Sequence, residues 1–147
     1  MTRLPLHHKK NGFIAALRNR GLDVNPQWMI NLRYDQPRGD ICKIVREFLQ
    51  IKQRPRVIVC AADMYALGVL DAAHELGLRV PEDLAVTGFD DRPETALSDP
   101  PLTTVHIPWN EMMRVATSQL IQLISCPIDV ENIRVKMATR LVIRDSA

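Results

Sequence analysis

Three acidic side chains stand where a carboxylate can do chemistry. Asp90 and Asp91 follow the short apolar run Leu84–Thr87, and Asp63 follows the run Val57–Cys60. An unbroken β-branched run bounded by turn residues is the signature of a strand buried on both faces of a parallel sheet. In an open α/β sheet, ligands bind beyond the carboxyl ends of the strands. A carboxylate there can accept hydrogen bonds from two neighbouring hydroxyls of a small polar molecule, so Asp90 is the first candidate contact. A local role competes for each acid: Asp90 or Asp91 could cap the turn after the strand, and capping is the favoured reading for Asp91 and Asp63. The three acids could also gather Mg²⁺ for phosphoryl chemistry, since hard oxygen ligands suit that ion. No Gly-rich phosphate loop, Gly-x-Ser-x-Gly elbow or pair of metal-spaced histidines accompanies them, so the chain reads as a non-enzyme.

The elements that must position these acids follow the same periodicities. Ala66, Val69, Leu70, Ala73 and Leu76 mark a helix from Asp63, stopped by Gly77 with Pro81 beyond. Phe13, Ala16, Leu17 and Arg20 give an opening helix that ends at Gly21. After the Asn25-Pro26 turn, Trp28–Leu32 is expected as a strand, with Tyr34 past its end. Tyr34 could stack on a ligand ring or be an ordinary loop tyrosine. Ile41, Ile44, Val45 and Phe48 mark the next helix. Leu102–Ile107 returns as a short strand or crossover. Pro108 and Asn110 then start a helix whose apolar residues, Met112 to Ile124, spread around it and predict burial on more than one side. Pro127 ends that helix. Val135, Met137, Thr139, Leu141 and Ile143 alternate with Lys136, Arg140 and Arg144 as a half-exposed strand should.

Composition sets wider bounds. The 147 residues allow one domain with a real core, and 46% hydrophobic with 24% charged residues is ordinary for a globular protein. A net charge of +2 does not argue for nucleic acid. Cys42, Cys60 and Cys126 have no metal-ligand spacing and read as reduced thiols. His7 and His8 are adjacent and cannot both face one ion from a helix or strand, so no metal site is assigned. No apolar run is long enough to span a membrane, and the opening Met1-Thr2-Arg3-Leu4-Pro5 lacks the apolar core of a secretory leader. A cytoplasmic location is expected.

Four phrases carry a resemblance: Ala62-Asp63-Met64-Tyr65-Ala66-Leu67-Gly68; Gly77-Leu78-Arg79-Val80-Pro81-Glu82-Asp83-Leu84; Gly88-Phe89-Asp90-Asp91; and Pro100-Pro101-Leu102-Thr103-Thr104-Val105. In this order and spacing they resemble the C-terminal part of the effector-binding domain of LacI/GalR-family transcriptional regulators, from about His8 to Ser146. The resemblance implies an α/β fold, a three-layer open and mostly parallel sheet with helices on both faces. This is the C-terminal lobe of a type I periplasmic-binding-protein-like fold, lacking most of the first lobe. On that comparison, residues 1–108 form the lobe, 109–133 a helix and connection that would belong to the first lobe, and 134–147 a returning strand and tail. It also implies that the family's effector-contacting acid falls on Asp90 and effector-contacting aromatic positions fall on Tyr34 and Trp109. Trp109 is equally readable as a core tryptophan at a helix start.

Two positions depart from the family pattern. Lys9 stands where many relatives have arginine, supplying a point charge without a bidentate fork. Ala62 stands where sugar-binding relatives commonly have asparagine. The expected partners are a small polar effector, a sugar or derivative; a second copy of the chain, in a dimer or higher oligomer; and operator DNA only through an N-terminal helix-turn-helix outside this sequence. No cofactor is implied. An exported sugar-binding protein of a transport system is the main alternative, ahead of a magnesium-dependent enzyme.

Overall fold

The computed structural model describes residues 4–33, 35–125 and 134–147. Helix α1 (Leu4–Arg18) is followed by a 3-10 turn, Pro26–Trp28, whose Asn25 side chain accepts from the Gln27 N–H. Then come α2 (Arg38–Leu49), β1 (Val57–Val59), α3 (Asp63–Glu75), β2 (Ala85–Thr87), β3 (Thr104–His106), α4 (Trp109–Ser125) and β4 (Arg140–Val142). Strands β1 and β2 pair in parallel, Ile58 opposite Val86. Parallel bridges, Thr87 to Thr103 and Asp90 to His106, carry the pattern on to β3. Strand β4 lies antiparallel to β3, with Leu141 opposite Val105. Strands that run in parallel this way need crossovers, and α3 supplies the one from β1 to β2. The fold is the mixed helix and parallel-sheet lobe expected from the sequence.

Burial of one face of α2 against α3 holds this lobe together. Ile41, Val45 and Leu49 of α2 meet Ala66, Val69, Leu70 and Ala73 of α3 over Leu84, Val86 and Leu102, all nearly inaccessible to water. The helices approach closely because Gly68 has no side chain: a Cβ there would stand 2.6 Å from Ile41 Cγ2. Gly77, at φ +66°, turns the chain out of α3, a conformation that costs other residues energy. The tail closes the structure. Ser146, fully buried, donates through Oγ to the Val86 carbonyl at 2.6 Å and accepts from the Thr103 N–H at 2.8 Å.

Several expectations need correction. Trp28–Leu32 is not a strand: Pro26–Trp28 forms a 3-10 turn and the following residues have no ladder partner among the described residues, although Ile30 and Leu32 still pack against the core. Strand β1 is not buried on both faces, since Val57 and Val59 are 54% and 52% exposed. Among the described residues it pairs on one edge only, and the face carrying these valines is uncovered. Helix α4 has no buried residue; Met113, Leu120, Ile121 and Ile124 all face water. Apolar spacing marks a surface that would gain from burial but does not supply a neighbour. The last strand is three residues long and turned the other way from its apolar pattern. Leu141 and Ile143 point outward, while Arg144 and Ser146 point in, because the tail is fixed by polar bonds. Tyr34, Cys126 and Pro127 lie outside the described residues. Among those described, no helix is long and apolar enough to cross a membrane.

Candidate functional site

The strand ends converge on one rim. The backbone after β2 is tied to both neighbours, with the Asp63 N–H donating to the Phe89 carbonyl and the Asp90 N–H to the Val105 carbonyl, at 2.8 and 2.9 Å. Within that frame Asp90 takes φ +124° and Asp91 φ +55°. Aspartate tolerates the left-handed region better than most residues, but two in succession cost on the order of 1–3 kcal/mol each. Such strain persists only where the surroundings over-determine it. Here the double inversion sends neighbouring carboxylates to different jobs.

Asp91 is consumed by the fold. Its side chain, 14% exposed, accepts from Arg144 Nη2 at 2.6 Å and from His106 Nδ1 at 2.8 Å. Arg144 also donates to the Leu102 carbonyl and to Thr95 Oγ1. Burial alone would raise the Asp91 carboxyl, but the bonds from Arg144 and His106 outweigh it and hold the group below the usual aspartate range. The expected turn cap is therefore an ion pair to the tail. A depressed folded pKa contributes stability that is fully present above the unfolded aspartate value, near about pH 4, and is lost as pH falls through the folded value. The stability gap between the wild type and Asp91→Asn, followed by urea unfolding, should be wide at pH 7 and close progressively below about pH 4.

Asp63 is also structural, and not as a helix cap. The N-cap position is Ala62, which makes no side-chain bond. Asp63 is fully buried and accepts from Thr104 Oγ1 at 2.6 Å and from the Arg92 N–H at 2.8 Å, tying α3 to β3 and to the loop after β2. Gly88 makes room for it; a Cβ there would collide with Asp63 Oδ1. With Asp63 and Asp91 committed elsewhere, the three acids do not gather around one ion. Among the described residues no cluster of histidine, cysteine or acidic side chains could hold a metal.

Asp90 remains open. Its side chain is 26% exposed and no hydrogen-bond donor among the described residues reaches its carboxylate; the nearest cation, Lys9 Nζ, is 3.9 Å away. Burial, opposed by Lys9 and reinforced by Asp63, pushes its carboxyl above the usual range. Lys9 reaches across from α1, donates to the Ala61 carbonyl at 2.8 Å and lies 3.7 Å from the centre of the Phe89 ring, an arrangement that satisfies much of its charge. Burial lowers its pKa, partly offset by Asp90 and Asp63. On the other side of Asp90 is a cleft of about 390 Å³ bounded by His106, Pro108, Trp109 and Asn110. Trp109, at the start of α4, is 54% exposed and so is not a core tryptophan.

Of the residues singled out from sequence, Asp90 and Trp109 share the cleft, and Lys9 adjoins Asp90. Ala62 stands at the entry to α3, is not among the residues that line the cleft, and offers no side-chain hydrogen bond. Thr104, His106 and Arg144, which hold the rim in shape, were not anticipated. The threonine pair in Leu102-Thr103-Thr104 was the available signal, since a threonine entering a buried strand needs an acceptor. A larger groove of about 740 Å³, between α2, α3 and the loop carrying Leu97, contains none of these residues.

Comparison with known proteins bears on the whole rim. The family described as periplasmic binding protein-like domain matches residues 7–147. The chain is 34% identical over 139 residues to the HTH-type transcriptional repressor PurR of Photorhabdus laumondii, covering 94% of this chain and 40% of that protein. It is 39% identical over 114 residues to the HTH-type transcriptional repressor CytR of Escherichia coli, covering 77% and 33%. Among solved structures, a LacI-family regulator from Sanguibacter keddieii superimposes with a TM-score of 0.83 at 29% identity, over 92% of this chain and 50% of that one. A complex of the transcriptional regulator CelR with cellobiose gives 0.82 at 27%, over 92% and 41%. The chain thus spans at most half the length of these relatives.

Proposed function

Because the chain belongs to the periplasmic binding protein-like family, in the effector-binding part of LacI-type transcriptional regulators, we propose that its rim holds a small polar effector, a sugar or sugar derivative. The observation that carries this reading is Asp90: a carboxylate kept in a strained backbone, without a hydrogen-bond donor among the described residues, lining one cleft with an exposed indole. Hydroxyls of a ligand would donate to Asp90 while Trp109 covers an apolar ring face. Lys9 reinforces the same end of the site, and Ala62 leaves space where a side-chain amide would otherwise bind. The cellobiose held by CelR supports the carbohydrate class.

In a longer protein, binding would favour one relative orientation of two lobes and so one spacing of two DNA-reading heads, a population shift driven by differential affinity. The uncovered apolar side of α4 supports assigning residues 109–133 to the first lobe of a longer protein, and self-association would cover such surfaces as well.

A ligand specific to the native state raises the melting temperature. D-glucose, D-ribose, cellobiose and adenosine, each at millimolar concentration, form a first panel. At least one should raise the melting point by about 2 °C or more. A flat response to all four would count against the reading.

A further inference from the structure

Taking the cleft as the effector site, we infer that its ligand is an uncharged hydrogen-bond donor, and that the phosphorylated form of the same molecule is turned away, with Asp90 making the choice. The charges around the cleft lead to this. Among the described residues that line it none is a lysine or arginine, whereas Asp90, Asp91 and Glu111 all line it. The cations around it are already engaged, Arg92 with Glu94 at 2.6 Å among them. Arg144 is paired to Asp91 at 2.6 Å, Arg114 to Glu111 at 2.6 Å, and Lys9 is held by the Ala61 carbonyl and the Phe89 ring.

Two helix N-termini also open on this rim, and a helix N-terminus ordinarily attracts anions. Each carries its own carboxylate in the first turn, Asp63 in α3 and Glu111 in α4. The attraction is therefore met from within the chain. What faces an incoming molecule is an acceptor, Asp90, with no hydrogen-bond donor of its own among the described residues. A hydroxyl or ring N–H supplies the missing hydrogen. A phosphate ester brings a charge of roughly −1.5 to −2 at pH 7 and further acceptors, and has to sit against the Asp90 carboxylate, whose nearest cation is 3.9 Å away. A pair of like charges a few ångströms apart in a surface cleft changes affinity about tenfold.

The test measures matched ligands by calorimetry on the 147-residue chain: D-glucose with glucose 6-phosphate and 6-O-methylglucose, and adenosine with its 5′-monophosphate. The parent should bind at least about tenfold tighter than its phosphate, with the methyl ether, a neutral control for bulk, nearer the parent. Asp90→Asn keeps an acceptor and removes the charge, and should narrow the gap to about threefold or less. Equal or tighter binding of the phosphates would overturn the inference and point to Lys9 as an anion anchor. A gap unchanged in Asp90→Asn, or a methyl ether as weak as the phosphate, would overturn it in favour of exclusion by size. In each of those cases the effector reading stands. If no ligand of either set binds, the effector reading falls and the inference with it.

Discussion

Asp63→Ala should lower the unfolding free energy by about 3 kcal/mol, the largest stability loss expected from any single substitution at the rim. Asp63 is fully buried, and its two oxygens accept from the Thr104 hydroxyl and the Arg92 N–H. Truncation leaves Thr104, itself fully buried, with an unpaired hydroxyl and opens a void beside Gly88. Hydrogen bonds to a charged acceptor contribute roughly 1.5–3 kcal/mol, and a buried donor left without a partner costs about 1–3 kcal/mol. These overlap rather than add, since both describe the same lost contacts. Asp63→Asn keeps the shape and one acceptor, so it should cost about 1 kcal/mol. Urea unfolding of the two variants checks this; a loss of less than about 0.5 kcal/mol in Asp63→Ala would mean that the bracket does not hold the loop.

Asp90→Gly should do the opposite to stability while removing function. At φ +124° a non-glycine residue is strained by about 1–3 kcal/mol, and glycine adopts that conformation freely. Against this, glycine makes the unfolded chain more flexible, by roughly 0.5–1 kcal/mol. The net expectation is a gain of about 1 kcal/mol together with a loss of effector affinity of tenfold or more. No hydrogen bond within the described chain is lost, because Asp90 makes none through its side chain; the one ion contact surrendered, to Lys9, is long at 3.9 Å. Urea unfolding and calorimetry on the same preparation read both halves. A destabilised variant would show that Asp90 serves the fold.

Apart from the run Trp28–Leu32, the order of the elements and the place of Asp90 are legible in the sequence, because both follow from local pattern. An apolar run, a helix period and an acid at a strand end are legible within a dozen residues. What could not be read is how carboxylates are shared out among distant partners. Asp91 meets Arg144, 53 residues away in the chain, and Asp63 meets Thr104, 41 residues away. Either acid looks locally like a cap. The tail misled for the same reason: Leu141 and Ile143 supply an apolar face, but the polar bonds of Arg144 and Ser146 decide which side faces in. The spacing along α4 records what would gain from burial, and the run Trp28–Leu32 what could pair; neither states that a neighbour exists.

One titration bears most directly on the central claim. Calorimetry of the tightest-binding member of the four-ligand panel should give saturable binding to the wild type and a dissociation constant at least about tenfold weaker for Asp90→Gly at pH 7. Equal affinities in the two proteins would place the ligand elsewhere on the molecule and contradict the role of Asp90.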